Sequence, residues 1–215
     1  MNRNLIALFA LLVLVGCGRA ADNPYRGVYL LLDTSGIHSG ELEKAQQIVN
    51  SYLAVLKAGD SFAVARIDSG SLSEKDIIAQ VTFDGRPSHM NAQKREFANV
   101  VDRFVGSVES AEYTDISGGL LQAMVFLRAT GAVQKYILIY SDLREELPEG
   151  YKSDFSYELD GFQVFALNVT QLREENIDPS LYSGRLNDWQ TKVEQGGGQW
   201  QAVNDLDSTE VLALD

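Results

Sequence analysis

The sequence predicts an open, doubly wound α/β fold: a mostly parallel six-stranded sheet with one antiparallel edge strand, flanked by helices. Three observations carry this expectation. Apolar runs of strand length alternate with stretches in which apolar residues recur every three or four positions. The first run, residues 28–32, is apolar without interruption, as in a strand buried on both faces. One pair of neighbouring runs is joined by a link too brief for a crossover, which suits an antiparallel pair.

The elements follow in chain order. Val28 to Leu32 ends abruptly in Asp33, followed by the small polar residues Thr34, Ser35 and Gly36. Leu42, Ala45, Ile48, Val49, Tyr52, Leu53 and Leu56 then define the apolar side of an amphipathic helix that ends near Lys57, with Gly59 as its stop. Residues 62–67 make a second strand, completing a βαβ unit whose crossover is right-handed. The link through Ser69-Gly70-Ser71 leads to a third strand, 77–83, the antiparallel one. Helical spacing returns over 91–105, leaving Pro87, Ser88 and His89 in an exposed loop, and again over 116–129 after the interruption Glu112-Tyr113-Thr114-Asp115. Residues 136–140 form a strongly β-forming strand that stops on Ser141-Asp142, and 162–169 form the fifth. Pro179 and Gly184 mark 171–185 as a loop before a helix over 186–194. Gly196–Gly198 end that helix, 200–203 make a last short strand, and 208–214 a terminal helix. There is no internal repeat and no low-complexity linker.

Charge narrows the partners. The formal net charge is −12, and −13 without residues 1–16, whose one charge is Arg3. Such a balance argues against nucleic acid and against electrostatic adhesion to anionic lipid, and favours a bound cation or a basic partner. Residues 5–15 are apolar but too short to span a bilayer comfortably. They lead to Leu14-Val15-Gly16-Cys17, which resembles the lipobox of bacterial lipoprotein signal peptides. The resemblance implies cleavage after residue 16, lipidation of Cys17 and a tether over 17–24, with the domain occupying 25–215. It also implies a place in the bacterial cell envelope, and Gly18 after the cysteine favours the outer membrane, facing the periplasm, in a Gram-negative cell. Cys17 is the only cysteine, so the mature chain forms no internal disulfide and carries no thiol nucleophile. No later segment is apolar enough to cross a membrane.

Two strands stop on carboxylates, Asp33 and Asp142, at the end of the sheet where an open α/β fold places its ligand site. With Ser35 and the Thr114-Asp115 pair they make a set of hard oxygen donors, suited to Mg²⁺, Mn²⁺ or Ca²⁺ more than to zinc or copper. Plainer roles compete. Thr114 or Asp115 is a good N-cap for the helix that follows, and Asp142 is a common turn residue. Asp33, by contrast, has no structural purpose that the sequence reveals. The other chemistry is poorly provided for: two histidines, no Gly-x-Ser-x-Gly elbow, no Gly-Lys-Ser/Thr phosphate loop and no His-Glu-x-x-His motif. The glycine run at 196–198 follows a helix and makes a poor phosphate cradle.

Asp33-Thr34-Ser35, Thr114-Asp115 and Tyr140-Ser141-Asp142, in this order of elements, resemble the von Willebrand factor A domain over about residues 25–205. That family carries an Asp-x-Ser-x-Ser loop after the first strand, a threonine in a later loop and an aspartate after the fourth strand. Together these form its metal-ion-dependent adhesion site. The resemblance implies that Ser35 and Thr114 bind the metal directly and that Asp33 and Asp142 act directly or through water, with His38, Ser39, Asp115 and Ser141 behind them. It implies an open coordination position for an Asp or Glu carboxylate of a protein partner, and hence a lipid-anchored, non-enzymatic binding module. Ile37 stands where the family has its second serine, which removes one ligand. Two alternatives remain open. One is a phosphate-transferring enzyme resembling haloacid dehalogenases, although Ser35 replaces the second aspartate of their Asp-x-Asp motif. The other is a degenerate A domain with a structural role in the envelope.

Overall fold

The computed structural model describes residues 25–35, 39–68, 74–151, 155–172 and 174–203. Its elements are β1 (Arg26–Asp33), α1 (Ser39–Val55), β2 (Ser61–Ile67), β3 (Ile77–Thr82), α2 (Pro87–Val105), α3 (Ile116–Ala129), β4 (Gln134–Tyr140), β5 (Phe162–Leu167), α4 (Pro179–Gln195) and β6 (Gln199–Val203). The strands form one sheet in the order β3-β2-β1-β4-β5-β6, parallel throughout except for β3 at the edge, as the sequence predicts.

The uninterrupted apolar run of β1 follows from its central place. Side chains alternate across a strand, so Val28, Leu30 and Leu32 enter one core, with Ala45, Val49 and Leu53 of α1 and Phe97 and Val101 of α2. Tyr29 and Leu31 enter the opposite core, with Ile116, Leu120 and Leu127 of α3 and Trp189 and Val193 of α4. Both cores carry aromatic anchors: Phe62 stacks on Phe97 at 4.8 Å between centroids, and the Tyr29 hydroxyl lies 3.1 Å from Oε1 of Gln122. With helices on both faces, every position of the strand needs an apolar or a satisfied side chain.

Gly27 lets β1 start tight against α3. A Cβ there would stand 2.7 Å from Leu127 Cδ2 and 3.1 Å from the Ala132 Cβ. Gly27→Ala is therefore expected to cost about 1–3 kcal/mol through overpacking, read as a lower midpoint in urea unfolding; an unchanged midpoint would show that α3 yields freely.

β1 is flanked by β2 on one side and β4 on the other, with Asp33 opposite Ile67 and Leu32 opposite Tyr140. The chain therefore leaves β1 outward in one direction and resumes in the other. In open α/β sheets the carboxyl ends of the strands at such a switch in order, here β1 and β4, are where ligands bind.

Two helix starts differ from expectation, for the same reason. α2 begins at Pro87 and α4 at Pro179, each with proline in its first turn. Proline breaks a helix interior but is well suited to the first helical position, where no N–H is needed. His89 therefore lies in the first turn of α2, on an exposed surface, instead of in a loop. The stretch expected to loop through Gly184 is half helix, started by Asp178, whose carboxylate accepts bonds from the amide and hydroxyl of Ser180. β5 ends two residues early because Asn168 turns to φ 58°. The leader and tether, Ile37, His38 and the expected helix over 208–214 lie outside the described residues. No helix among the described residues is long and apolar enough to cross a membrane.

Candidate functional site

Asp33 closes β1 and is almost entirely buried, at 5% exposure. Its Oδ1 accepts bonds from the Ser35 amide at 2.9 Å and the Ser35 hydroxyl at 2.7 Å, the local turn geometry that Asp-x-Ser favours. Its Oδ2 accepts the Ser141 hydroxyl at 2.6 Å, and Ser141 in turn accepts the amide of Leu143 at 2.9 Å. One carboxylate thus ties the end of β1 to the end of β4, which is the structural purpose the sequence does not reveal. Burial pushes the Asp33 pKa up; the bonds from Ser141 and Ser35 oppose this, and the nearby charge of Asp142 adds to the rise. Among the described residues no lysine or arginine forms an ion pair with Asp33.

The threonine loop lies against the same strand ends. Ala111 N–H donates to the Thr34 carbonyl at 3.2 Å, and the Asp115 amide to the Asp68 carbonyl at 3.4 Å. Thr114 forms a two-way backbone bridge with Glu146, at 2.7 and 3.1 Å, so its position is set from the β4 side. Its hydroxyl makes no hydrogen bond to a described residue. Asp115, fully buried, takes the capping role: its Oδ1 accepts the Gly118 amide at 2.8 Å at the start of α3, and its Oδ2 the Tyr151 hydroxyl at 3.2 Å. Of the two candidates for the cap, then, Asp115 serves and Thr114 does not.

Asp142 is partly exposed. Its Oδ1 accepts the Arg144 amide at 2.7 Å, a turn contact, and lies 4.0 Å from Nη1 of Arg185. The next residue, Leu143, is buried at φ 67°, a conformation that a leucine adopts at a cost. The fold imposes it: the Leu143 amide donates to Ser141, and Trp189 Nε1 donates to its carbonyl at 3.0 Å.

Three contributors are missing from the sequence-based set. Glu145 accepts the Ser117 amide at 2.7 Å and its hydroxyl at 3.1 Å, placing a second carboxylate at the start of α3. Arg185 and Glu175 form an ion pair beside Asp142. The charged run Arg144-Glu145-Glu146 is visible in sequence, but nothing in it singles out Glu145. Arg185 was hidden by the expectation of a loop.

The structure therefore joins Asp33, Ser35 and Ser141 directly, puts Asp142 within electrostatic reach, and sets Thr114 on a loop fastened to the same end of the sheet. The donors fit a hard dication in one testable respect. A hydroxyl binds a cation through its lone pairs, so its proton must be directed elsewhere. In both Ser35 and Ser141 that proton goes to Asp33. Among the described residues no group of three or more His, Cys, Asp or Glu side chains is gathered to hold a metal. An ion here would depend on two carboxylates, hydroxyls and water, a set of hard oxygen donors that suits Mg²⁺ or Mn²⁺.

No protein-family model matches the sequence, and no curated protein matches it. Among solved structures, the chain is similar to a von Willebrand factor type A protein from Catenulispora acidiphila, with a TM-score of 0.51, 14% identity, and coverage of 86% of this chain and 40% of that one. It is likewise similar to the pilus adhesin SpaC from Lactobacillus rhamnosus GG, with a TM-score of 0.51, 13% identity, and coverage of 86% of this chain and 29% of that one. The chain spans less than half the length of either. At such identities the likeness is one of fold: an open sheet with one antiparallel edge strand and helices on both faces. The chain has the von Willebrand factor A fold.

Proposed function

We propose that this domain is a non-enzymatic docking module, which binds a protein partner at the carboxyl end of its sheet with the aid of Mg²⁺ or Mn²⁺. Ser35, Thr114, Asp33 and Asp142 would hold the ion, directly or through water. A hydrated dication in an open site supplies one exchangeable position, which an Asp or Glu carboxylate of the partner fills. Ile37 provides no ligand, so water takes that place and affinity for the ion is modest. The lipobox-like segment ending in Cys17 supports anchoring in the envelope, with the outer membrane favoured in a Gram-negative cell.

The observation that carries this reading is the buried carboxylate of Asp33, which receives the protons of Ser35 and Ser141 and has no cationic partner among the described residues. A phosphoryl-transfer role is less well supported, because Ser35, bonded to Asp33, cannot serve as the general acid or base that such chemistry requires. A purely structural role has one observation in its favour: three hydrogen bonds already satisfy Asp33 and join β1 to β4.

Titration calorimetry with Mg²⁺ and Mn²⁺ on the wild type and Asp33→Ala, together with affinity capture from envelope extracts with and without EDTA, separates these. Metal heats in the wild type alone, and a partner retained only without EDTA, are expected. Equal, negligible heats would remove the metal. A reproducible partner indifferent to EDTA would leave metal-independent docking, and recovery of no reproducible partner would leave the structural role.

A further inference from the structure

Arg185 occupies a position with more charge around it than its bonds account for. On α4, its Nε and Nη2 form a fork on the buried Glu175, at 3.0 and 2.8 Å, and Nη2 also donates to the Thr170 carbonyl at 3.1 Å. Glu175 is itself held by the Leu172 amide at 2.8 Å. The guanidinium is therefore fixed in place, with the Tyr182 ring 5.6 Å away. Its third nitrogen, Nη1, is buried and accepts no compensation from a hydrogen bond among the described residues. What it faces is Asp142 Oδ1, 4.0 Å away. The other oxygen of Asp142 makes no hydrogen bond to a described residue.

We propose that Arg185 is a built-in counter-cation for Asp142, which competes with a divalent ion for that carboxylate and so lowers the affinity of the site. The inference rests on the metal site proposed above and adds the residue that tunes it. A fixed positive charge beside a ligand repels a dication and shares the ligand's field. The fork on Glu175 keeps the guanidinium from swinging away, as a lone lysine would. The site is thereby held weak at rest, and a partner's carboxylate adds to the affinity for the ion. Asp142 thus has two states of use: paired with Arg185 when the ion is absent, shared with the ion when it is present.

Mn²⁺ titration calorimetry on the wild type, Arg185→Gln and the double variant Glu175→Gln/Arg185→Gln tests this. The double variant leaves no buried charge unpaired if the single one folds poorly. Removing the guanidinium is expected to tighten Mn²⁺ binding on the order of tenfold. In EDTA, Asp142→Asn is expected to lower the melting temperature by about 2–4 °C in the wild-type background, and to have no effect where Arg185 is already Gln. Wild type that binds Mn²⁺ with variants no tighter would overturn the role of Arg185 and leave the metal site standing. No Mn²⁺ binding in any of the three proteins would overturn both.

Discussion

Mn²⁺ at a hundredfold excess over its dissociation constant should raise the melting temperature of the wild-type domain by about 5–10 °C, and Asp33→Asn should abolish that rise. The figure follows from mass action: such an excess adds about 2.7 kcal/mol to the folded state, and for a domain of this size each kcal/mol is worth about 2–4 °C. Asn keeps an oxygen for the amide and hydroxyl of Ser35, so the turn survives. Its amide group, however, faces Ser141 where a carboxylate oxygen accepted that hydroxyl. The charge that attracts the ion is gone. In EDTA the same variant should be at least as stable as the wild type at neutral pH, since it no longer buries an anion.

The dependence on pH has opposite signs with and without the ion. Burial raises the pKa of Asp33 in the folded protein above its ordinary carboxylate value. Between those two values the folded state binds more protons than the unfolded, so stability falls as pH rises through that window. Without metal, this group therefore favours folding more as pH drops from its raised pKa toward the ordinary value. With metal the stabilisation requires the carboxylate and fades over the same fall. Thermal melts across pH with EDTA and with Mn²⁺ should converge in acid. Curves that stay parallel would mean that any stabilising ion binds away from Asp33.

Trp189→Ala should destabilise the domain by about 3–5 kcal/mol, the usual cost of removing a buried aromatic side chain. This corresponds to a fall of roughly 6–20 °C in melting temperature. Trp189 is 4% exposed in the core between the sheet and α4, and its indole N–H reaches the Leu143 carbonyl at 3.0 Å. That bond helps to hold Leu143 in a left-handed conformation costing roughly 1–2 kcal/mol, and Leu143 follows Asp142. Trp189→Phe separates packing from hydrogen bonding. It keeps most of the apolar area but leaves the carbonyl unpaired, at an expected cost of about 1–3 kcal/mol, and it should weaken Mn²⁺ binding because the turn carrying Asp142 loosens. Unaltered stability in Trp189→Phe would show that the strained turn does not need the indole.

Much of the fold could be read directly from residue order. The run 28–32 reads as a strand buried on both faces and takes a central place in the sheet, and the helix over 116–129 has its bounds where the apolar spacing puts them. The antiparallel edge strand followed from a short link. The two misplaced helix starts, at Pro87 and Pro179, show the ambiguity of proline, which ends a helix or begins one according to a register that only the neighbouring turns decide.

The site divides along a similar line. Asp33 and Ser35 are two residues apart, so their contact is a property of local backbone geometry and is legible in the motif itself. Asp33 and Ser141 are 108 residues apart, and Asp142 meets Arg185 of α4; these contacts exist because β1 and β4 are neighbours at the switch in strand order and because α4 starts early enough to carry Arg185. Periodicity and turn chemistry act between near neighbours, so they are written in the order of residues. Burial, which makes the Asp33 carboxylate costly and gives Arg185 its leverage on Asp142, is a property of the assembled sheet and helices, and only the folded chain creates it.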